Sequence, residues 1–325
     1  MDSKRDVLIV DPIHIHLKDY LYSRHNVTVK SPISRKELLD CIEDFDLLVL
    51  RSGAQVDSEL LERGTRLTTI VRAGTGTDNI DLEAVQQKGI DFYNTPSTNS
   101  RSVAELSFGL MHCLYRHIKK ASVEIEGNLW NKKAFQGFEL SGKTLGLVGF
   151  GSIGQQIANI ARGYGMNIHS KVQHYSQERA SALQLHSIFL HEELDTLLAA
   201  SDIVVVCCPY EERTKNLLAR HNLPLLKPSS ILINVARGGV VSEEDLYEAL
   251  ATKQLYAAAS DVFVNERQPS PLFTLDNFIG TPHIGAMTHE SQKKIADLII
   301  DFLEEKSLIH YPKNADIPTY AAGHL

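Results

Sequence analysis

Short apolar runs alternate with amphipathic stretches along almost the whole chain. The runs have the length of strands, and the stretches between them carry apolar residues at helical spacing. Such alternation is typical of β-α-β units built around parallel sheets, and it predicts an α/β fold. The clearest strand-like runs are Val7–Val10, Leu47–Leu50, Thr69–Val71, Leu145–Phe150, Ile203–Cys207 and Ile231–Val235.

Chain length and two long helical patterns predict two domains. A chain of 325 residues is too long for one ordinary core. An uninterrupted helical pattern runs from residue 98 to residue 126, and we interpret it as the entry into the second domain. A second long helix, Thr288–Glu305, would return the chain to the first domain. We therefore expect a substrate domain of residues 1–97 and 286–325 around a dinucleotide-binding domain of residues 98–285.

Composition argues against several classes of function. The net charge of -7 gives no basic surface for a nucleic-acid backbone, so we expect no nucleic-acid partner. The start of the chain lacks a signal-peptide core, and no apolar run approaches the roughly 18 residues of a membrane span. We therefore expect a cytoplasmic protein. The four cysteines, at positions 41, 113, 207 and 208, have neither disulfide nor zinc spacing, which predicts reduced thiols and no metal site.

A glycine-rich turn joins an apolar run to a helical pattern at residues 145–158. Gly149 would make a tight turn, Gly151 would let a pyrophosphate approach the backbone, and Gly154 would let helix and strand pack closely. The turn therefore predicts dinucleotide binding. An acidic residue that would bind the ribose is missing about 20 positions later, where Val172 stands with Lys171 before it and His174 after it.

Three residues that follow strand-like runs in the second half could move a hydride and a proton. Arg237 could hold a carboxylate and polarise a carbonyl, His283 could exchange a proton, and Glu266 could raise the basicity of the imidazole. Ligands of open α/β sheets bind at such strand ends. Spacing alone favours the simpler interpretation, a surface arginine, a solvated glutamate and an ordinary loop histidine.

Several ordered motifs together resemble the D-isomer-specific 2-hydroxyacid dehydrogenase family, and within it the phosphoglycerate dehydrogenase branch. The resemblance covers residues 7–312 and implies a Rossmann-type doubly wound parallel sheet plus a discontinuous, flavodoxin-like α/β substrate domain. Its motifs are the glycine turn, Arg72-Ala-Gly-Thr-Gly-Thr-Asp-Asn-Ile-Asp, Asn94-Thr-Pro, Ser102-Val-Ala-Glu-Leu, Asn234-Val-Ala-Arg-Gly-Gly, Asp261-Val-Phe and Thr281-Pro-His-Ile-Gly.

The resemblance also implies roles for individual residues. Arg237 would bind and polarise the substrate, His283 would exchange the proton, and Glu266 would pair with His283. Asp261 would contact the nicotinamide amide. The backbone around Ala73, Gly74 and Thr75 would hold the substrate carboxylate. The implied cofactor-binding residues are Gly149, Gly151, Ser152, Ile153, Gly154, Val172, Pro209, Ala236 and Asp261.

Three basic residues favour a phosphorylated substrate. Arg51 and Arg72 end neighbouring strand-like runs, and Lys132 lies on a predicted arm, Asn128–Leu140, that could reach the site from a second copy. Similar residues in the phosphoglycerate dehydrogenase branch imply 3-phosphoglycerate as substrate. The alternatives are a hydroxypyruvate or glyoxylate reductase and, from another class, a nicotinamide-sensing corepressor or scaffold.

Departures from the family pattern affect the cofactor more than the catalytic set. Arg267 replaces the usual proline after the glutamate, Ala286 replaces a glycine, and Val172 replaces the ribose acid. We expect NAD as the cofactor, with NADP use within about tenfold of NAD use. We also expect a homodimer or higher homo-oligomer, because a long exposed helix and arm would otherwise leave apolar surface in water. Because the sequence ends at residue 325, regulatory extensions are expected to be absent.

Overall fold

The computed structural model of the chain describes residues 4–171, 187–189 and 194–308. The strands in these residues are β1 (Asp6–Ile9), β2 (Asn26–Val29), β3 (Leu47–Leu50), β4 (Thr69–Arg72), β5 (Asp91–Asn94), β6 (Thr144–Val148), β7 (Asn167–Lys171), β8 (Ser187–Phe189), β9 (Ile203–Val206), β10 (Ile231–Asn234), β11 (Ala257–Ser260) and β12 (Phe278–Gly280). The α-helices are α1 (Ile15–Arg24), α2 (Arg35–Cys41), α3 (Ser58–Arg63), α4 (Leu82–Gln87), α5 (Ser100–Tyr115), α6 (Ile118–Glu126), α7 (Ser152–Gly163), α8 (Leu194–Ala200), α9 (Glu243–Ala251) and α10 (His289–Leu308).

The chain divides into two compact units, each with its own parallel sheet. The first unit comprises Met1–Thr98 and His289–Leu325, and the second comprises Asn99–Thr288. In the first unit the strand order is β2-β1-β3-β4-β5, and every pair is parallel. Flavodoxin-like sheets have this order. The predicted α/β class is therefore confirmed.

Alternating side chains give the first sheet an apolar core on each face. Leu8 and Leu48 pack into one cluster with residues of α2, α3 and α4. Val7 and Val49 pack into the other cluster with residues of α1 and α10. Helix α2 starts where the sequence supplies a cap, because Ser34 and Glu37 form a capping box. The three inner strands, β1, β3 and β4, are buried on both faces, which is why they appear as mostly apolar runs, whereas the edge strands β2 and β5 are only partly buried.

The second unit has the strand order β12-β11-β10-β9-β6-β7-β8, again parallel throughout. Numbered from β6, its first six strands have the Rossmann order 3-2-1-4-5-6, and β12 extends the edge beside β11. The order reverses between β6 and β9. Ligands of such sheets bind outside the carboxyl ends of the strands near this reversal.

Helices cover both faces of the second sheet. Leu147 and Val205 face a core that includes residues of α5 and α7. Val148 and Val206 face a second core that includes residues of α8 and α9. No α-helix in the described part of the chain has the length and apolar character needed to cross a membrane.

The expectation of one uninterrupted helix from residue 98 to residue 126 is wrong. The structure has two helices, α5 and α6, separated at His117, which adopts a left-handed conformation with φ of 53°. The His117 Nε2 atom lies 3.3 Å from the Tyr256 hydroxyl, and its ring packs near Phe135. These contacts come from residues distant in sequence, so helical periodicity did not reveal the break.

Candidate active site

The glycine turn after β6 has the geometry that a dinucleotide requires. Gly149 has a φ of 106°, and a Cβ atom there would lie 2.7 Å from the Cys208 backbone nitrogen. A Cβ atom at Gly154 would lie 2.6 Å from the Gly149 oxygen. At Gly151, by contrast, a Cβ atom would meet nothing within 4 Å. The first and third glycines therefore serve packing, and the middle one borders the open space that a pyrophosphate would fill.

The other predicted cofactor residues begin α7 or follow strands of the same sheet, apart from Val172. Ser152 and Ile153 begin α7, whose first backbone N–H groups point toward the turn. Pro209 follows β9, and Ala236 follows β10, at the same edge of the sheet. Val172 lies outside the described residues.

Arg237 lies on a short turn after β10 that the Asn234 side chain holds together. Asn234 accepts a hydrogen bond from the Ala236 backbone nitrogen at 3.1 Å and donates one to the Arg237 oxygen at 3.1 Å. The Arg237 guanidinium donates to the Ala236 oxygen at 2.8 Å. This arrangement explains the Asn234-Val-Ala-Arg motif, because the asparagine fixes the turn that presents the cation.

Glu266 and His283 form the pair that the sequence predicted. His283 Nδ1 and Glu266 Oε1 are 2.6 Å apart. A carboxylate can only accept, so Nδ1 carries the proton and Nε2 is left as the basic nitrogen. The hydrogen bond from His283 lowers the pKa of Glu266 below its ordinary value, burial opposes this change, and the charges of His283 and Arg237 reinforce it. Glu266 is therefore ionised at neutral pH.

Asp261 has a structural role that the sequence did not reveal. Its side chain is buried and accepts hydrogen bonds from the Thr281 hydroxyl at 2.6 Å, the Ile284 nitrogen at 2.8 Å and the Gly285 nitrogen at 2.8 Å. Its backbone oxygen accepts from the His283 nitrogen at 2.9 Å. His283 itself has a φ of 54°, which costs energy for a residue with a side chain. Asp261 thus clamps the loop that holds His283.

Arg51 is held at the carboxyl end of β3 in the first unit. The buried Asp11 carboxylate accepts hydrogen bonds from the backbone nitrogen of Arg51 at 2.6 Å and from the backbone nitrogen of Gly53 at 3.1 Å. Burial lowers the pKa of Arg51, and the charge of Asp11 opposes this change. Asp11 was not among the predicted site residues. The available signal was its position at the end of the apolar run Val7–Val10, while Asp261 directly follows β11.

The predicted carboxylate loop follows β4. Arg72, the last residue of that strand, is buried and pairs in register with Leu50 of β3, so Arg51 and Arg72 end neighbouring strands at one edge. The Ala73 nitrogen donates to the Leu50 oxygen at 2.8 Å, and the Gly74 nitrogen donates to the Arg72 oxygen at 2.8 Å. These two N–H groups are engaged within the unit, and the carboxylate role of Ala73, Gly74 and Thr75 stays a prediction.

Two further expectations concern Lys132 and the cysteines. Lys132 is exposed and begins a short 3₁₀ helix, Lys132–Phe135, so its role in the site also stays a prediction. Burial raises the pKa of Cys207 and Cys208, the latter to about 11, which keeps both thiols neutral at physiological pH. Among residues 4–171 and 194–305, no group of three His, Cys, Asp or Glu side chains could hold a metal ion.

Comparison with protein families decides what this arrangement belongs to. Residues 108–285 match the NAD-binding domain of D-isomer specific 2-hydroxyacid dehydrogenases. The chain belongs to this family. The matched region contains the glycine turn and the whole Arg237, Glu266 and His283 set, so the dinucleotide of the second unit is a nicotinamide cofactor.

Relatives in the 2-hydroxyacid dehydrogenase family carry several substrate names. The chain is 39% identical over 300 residues to a D-3-phosphoglycerate dehydrogenase of Methanocaldococcus jannaschii, matching 92% of this chain and 57% of that protein. It is 38% identical over 300 residues to a hydroxypyruvate reductase of Thermotoga maritima, matching 91% of this chain and 96% of that protein. The chain thus spans little more than half of the first relative and nearly all of the second.

A solved structure of a glyoxylate reductase from Paecilomyes thermophila has the same fold. It superposes with a TM-score of 0.82 at 26% identity and covers 94% of this chain and 95% of its own. The expected dehydrogenase family and the Rossmann-type fold are therefore confirmed, while the three names differ in substrate.

Proposed function

We propose that the chain is an oxidoreductase that transfers a hydride between NAD(P) and a D-2-hydroxy acid, with Arg237, Glu266 and His283 as its catalytic residues. The observation that carries the proposal is the 2.6 Å hydrogen bond between Glu266 and His283, together with the charge of Arg237, which helps to lower the pKa of Glu266. In the oxidation direction the C2 hydrogen leaves as a hydride, and the hydroxyl proton moves to His283 Nε2. A nicotinamide cofactor, when bound, would supply the hydride acceptor.

The protein groups act on charge and on the proton. Glu266 keeps the proton on Nδ1, so Nε2 accepts a proton in oxidation and returns it in reduction. The Arg237 guanidinium pairs with the substrate carboxylate and polarises the C2 oxygen. An Arg237→Ala variant should therefore raise KM and lower kcat together, because the cation acts on both the bound substrate and the transition state.

The substrate we propose is 3-phosphoglycerate, interconverted with 3-phosphohydroxypyruvate. Support comes from Arg51 and Arg72, two cations at the ends of neighbouring strands, and from the relative named for this substrate. Charge-assisted hydrogen bonds from arginine are well suited to a phosphate. Lys132 of a second copy would add a third cation.

A hydroxypyruvate or glyoxylate reductase is the second candidate. The observation in its favour is similarity: the chain is 38% identical to the hydroxypyruvate reductase over 91% of this chain, nearly the same as its 39% identity to the phosphoglycerate dehydrogenase over 92%. A nicotinamide-sensing corepressor or scaffold is the interpretation left if no 2-keto acid is turned over.

Arg51 provides the test that separates these candidates. Arg51→Ala should lower kcat/KM for phosphohydroxypyruvate about 10- to 100-fold more than for hydroxypyruvate, the range of a lost charged hydrogen bond. Arg66→Ala is the matched control, because Arg66 is exposed and pairs with Asp6 and Asp46 where the strands begin. Equal losses on the two substrates would move the proposal to the reductase.

We also propose that two copies of the chain associate. Several large apolar side chains of α6 and the following segment are exposed, and Trp130 is 86% exposed. Light scattering should give the mass of a dimer, and Trp130→Ser should weaken the association. A wild-type monomer at micromolar concentration would contradict this proposal. The exposed apolar residues are Ile118, Val123, Ile125, Leu129 and Trp130.

A further inference from the structure

Lys171 is a buried cation at the carboxyl end of β7. The residue is 8% exposed, and no hydrogen bond or ion pair joins its ammonium group to another described residue. Lysines are almost never buried to this extent without a partner, because removing the charge from water is costly. Among the described residues, no anion pairs with this ammonium group, and a bound ligand can supply one.

The neighbours of Lys171 do not supply this anion. Burial lowers the pKa of Lys171. The Cys208 side chain opposes this change and the charge of Arg213 adds to it, so Cys208 and Arg213 both lie near the Lys171 ammonium group. The Cys208 thiol is neutral, since burial raises its pKa to about 11. Arg213 is a second cation, and its partner Glu211 is committed to it at 2.6 Å. Positive charge thus exceeds negative charge among these described groups.

The glycine turn lies directly beside these residues. The Gly149 nitrogen donates to the Lys171 oxygen at 3.2 Å, and the backbone of Cys208 is in close contact with Gly149. Strands β7 and β9 flank β6 on either side, so Lys171 and Cys208 border the same end of the turn. In Rossmann folds the adenosine ribose binds at the end of this second strand.

We propose that Lys171 binds the 2'-phosphate of NADP(H), with Arg213 strengthening the local positive field, and that the chain prefers NADP(H) to NAD(H). The proposal rests on the dehydrogenase function proposed above. A carboxylate at this strand end would bind the ribose hydroxyls of NAD and repel a 2'-phosphate, whereas a buried cation does the opposite. The burial of Lys171 changes the expectation from tolerance of NADP to preference for it.

Direct binding tests the proposal without substrate. NADPH and NADH are titrated by their fluorescence, and 2',5'-ADP and 5'-ADP by calorimetry, against wild type and Lys171→Gln. Wild type should bind NADPH at least about tenfold more tightly than NADH. The variant should lose about 10- to 100-fold for NADPH and 2',5'-ADP, the range of one charge-assisted hydrogen bond, and change little for NADH and 5'-ADP.

Two further variants keep the outcome interpretable. Lys143→Gln is the matched control, because Lys143 directly precedes β6 at the other end of the same sheet, and it should leave all four affinities unchanged. Lys171→Arg should keep the preference for NADPH. If wild type binds NADH more tightly, or if Lys171→Gln loses equally for both cofactors, the proposal is wrong even when turnover is normal. Tight NADPH binding without turnover of any 2-keto acid would instead overturn the dehydrogenase function.

Discussion

Replacing Asp261 with asparagine should release the loop that carries His283. The change keeps the size of the side chain but turns one accepting oxygen into a donating amide. The buried carboxylate accepts two bonds on one oxygen, from Thr281 and Ile284, and one on the other, from Gly285. The most favourable orientation of the introduced asparagine therefore keeps the first two bonds and sets its amide against the Gly285 N–H group.

The cost follows from these three bonds. One buried N–H group loses its acceptor, which costs about 1–3 kcal/mol, and the two remaining bonds lose the charge of the acceptor, at about 1 kcal/mol each. Relief from burying a charge offsets part of this sum. We expect a loss of about 2–4 kcal/mol in the free energy of unfolding. With a urea slope of about 2 kcal/mol/M, the midpoint should fall by about 1–2 M.

Two measurements test this reasoning, urea unfolding followed by circular dichroism and steady-state kinetics with a 2-keto acid. In Asp261→Asn the loop can leave the left-handed conformation of His283, so kcat should fall about 10- to 100-fold, corresponding to the 1–3 kcal/mol held in that conformation. Thr281→Val is the matched control, since it removes one of the three donors and should cost only about 1 kcal/mol.

The alternative role of Asp261, contact with the nicotinamide amide, gives a different result. In that case Asp261→Asn would weaken cofactor binding while the urea midpoint stayed unchanged. An unchanged midpoint together with an unchanged kcat would refute the clamp.

Other changes test the remaining parts of the site. His283→Ala should lower kcat at least 10²-fold with little effect on folding, because it removes the proton acceptor; a near-normal kcat would contradict the assignment. Glu266→Gln should reduce the free energy of unfolding at neutral pH, because the pKa of Glu266 is lowered in the folded protein. The difference from wild type should vanish as the pH falls below the ordinary range of a glutamate. Urea unfolding at several pH values measures this difference. Gly151→Ala should fold normally but lose cofactor affinity, because a Cβ atom there would meet nothing within 4 Å. Gly154→Ala should lower the thermal stability instead, because its Cβ atom would lie 2.6 Å from the Gly149 backbone oxygen. Val172→Asp should shift the NADPH-to-NADH ratio of kcat/KM toward NADH, and an unchanged ratio would show that the residue does not face the ribose.

The sequence by itself determined the class of fold, and it indicated the residues that we propose as the catalytic set. Strand-like runs, the capping box at Ser34 and the glycine turn all depend on interactions within a few residues, so they can be recognised from local patterns. The pairing of Glu266 with His283 was inferred through the family resemblance, since their separation of 17 residues carries no local signal.

Only the tertiary structure decided which polar residues are buried and what they contact. The break at His117, the clamp around Asp261 and the burial of Lys171 all depend on side chains that the fold brings together from distant strands and loops. In sequence, Lys171 resembles any charged residue at a strand end, and Asp261 resembles any loop aspartate. The clamp of Asp261 and the role proposed for Lys171 both depend on the exclusion of solvent, because burial makes an unpaired charge costly and strengthens the hydrogen bonds of a carboxylate.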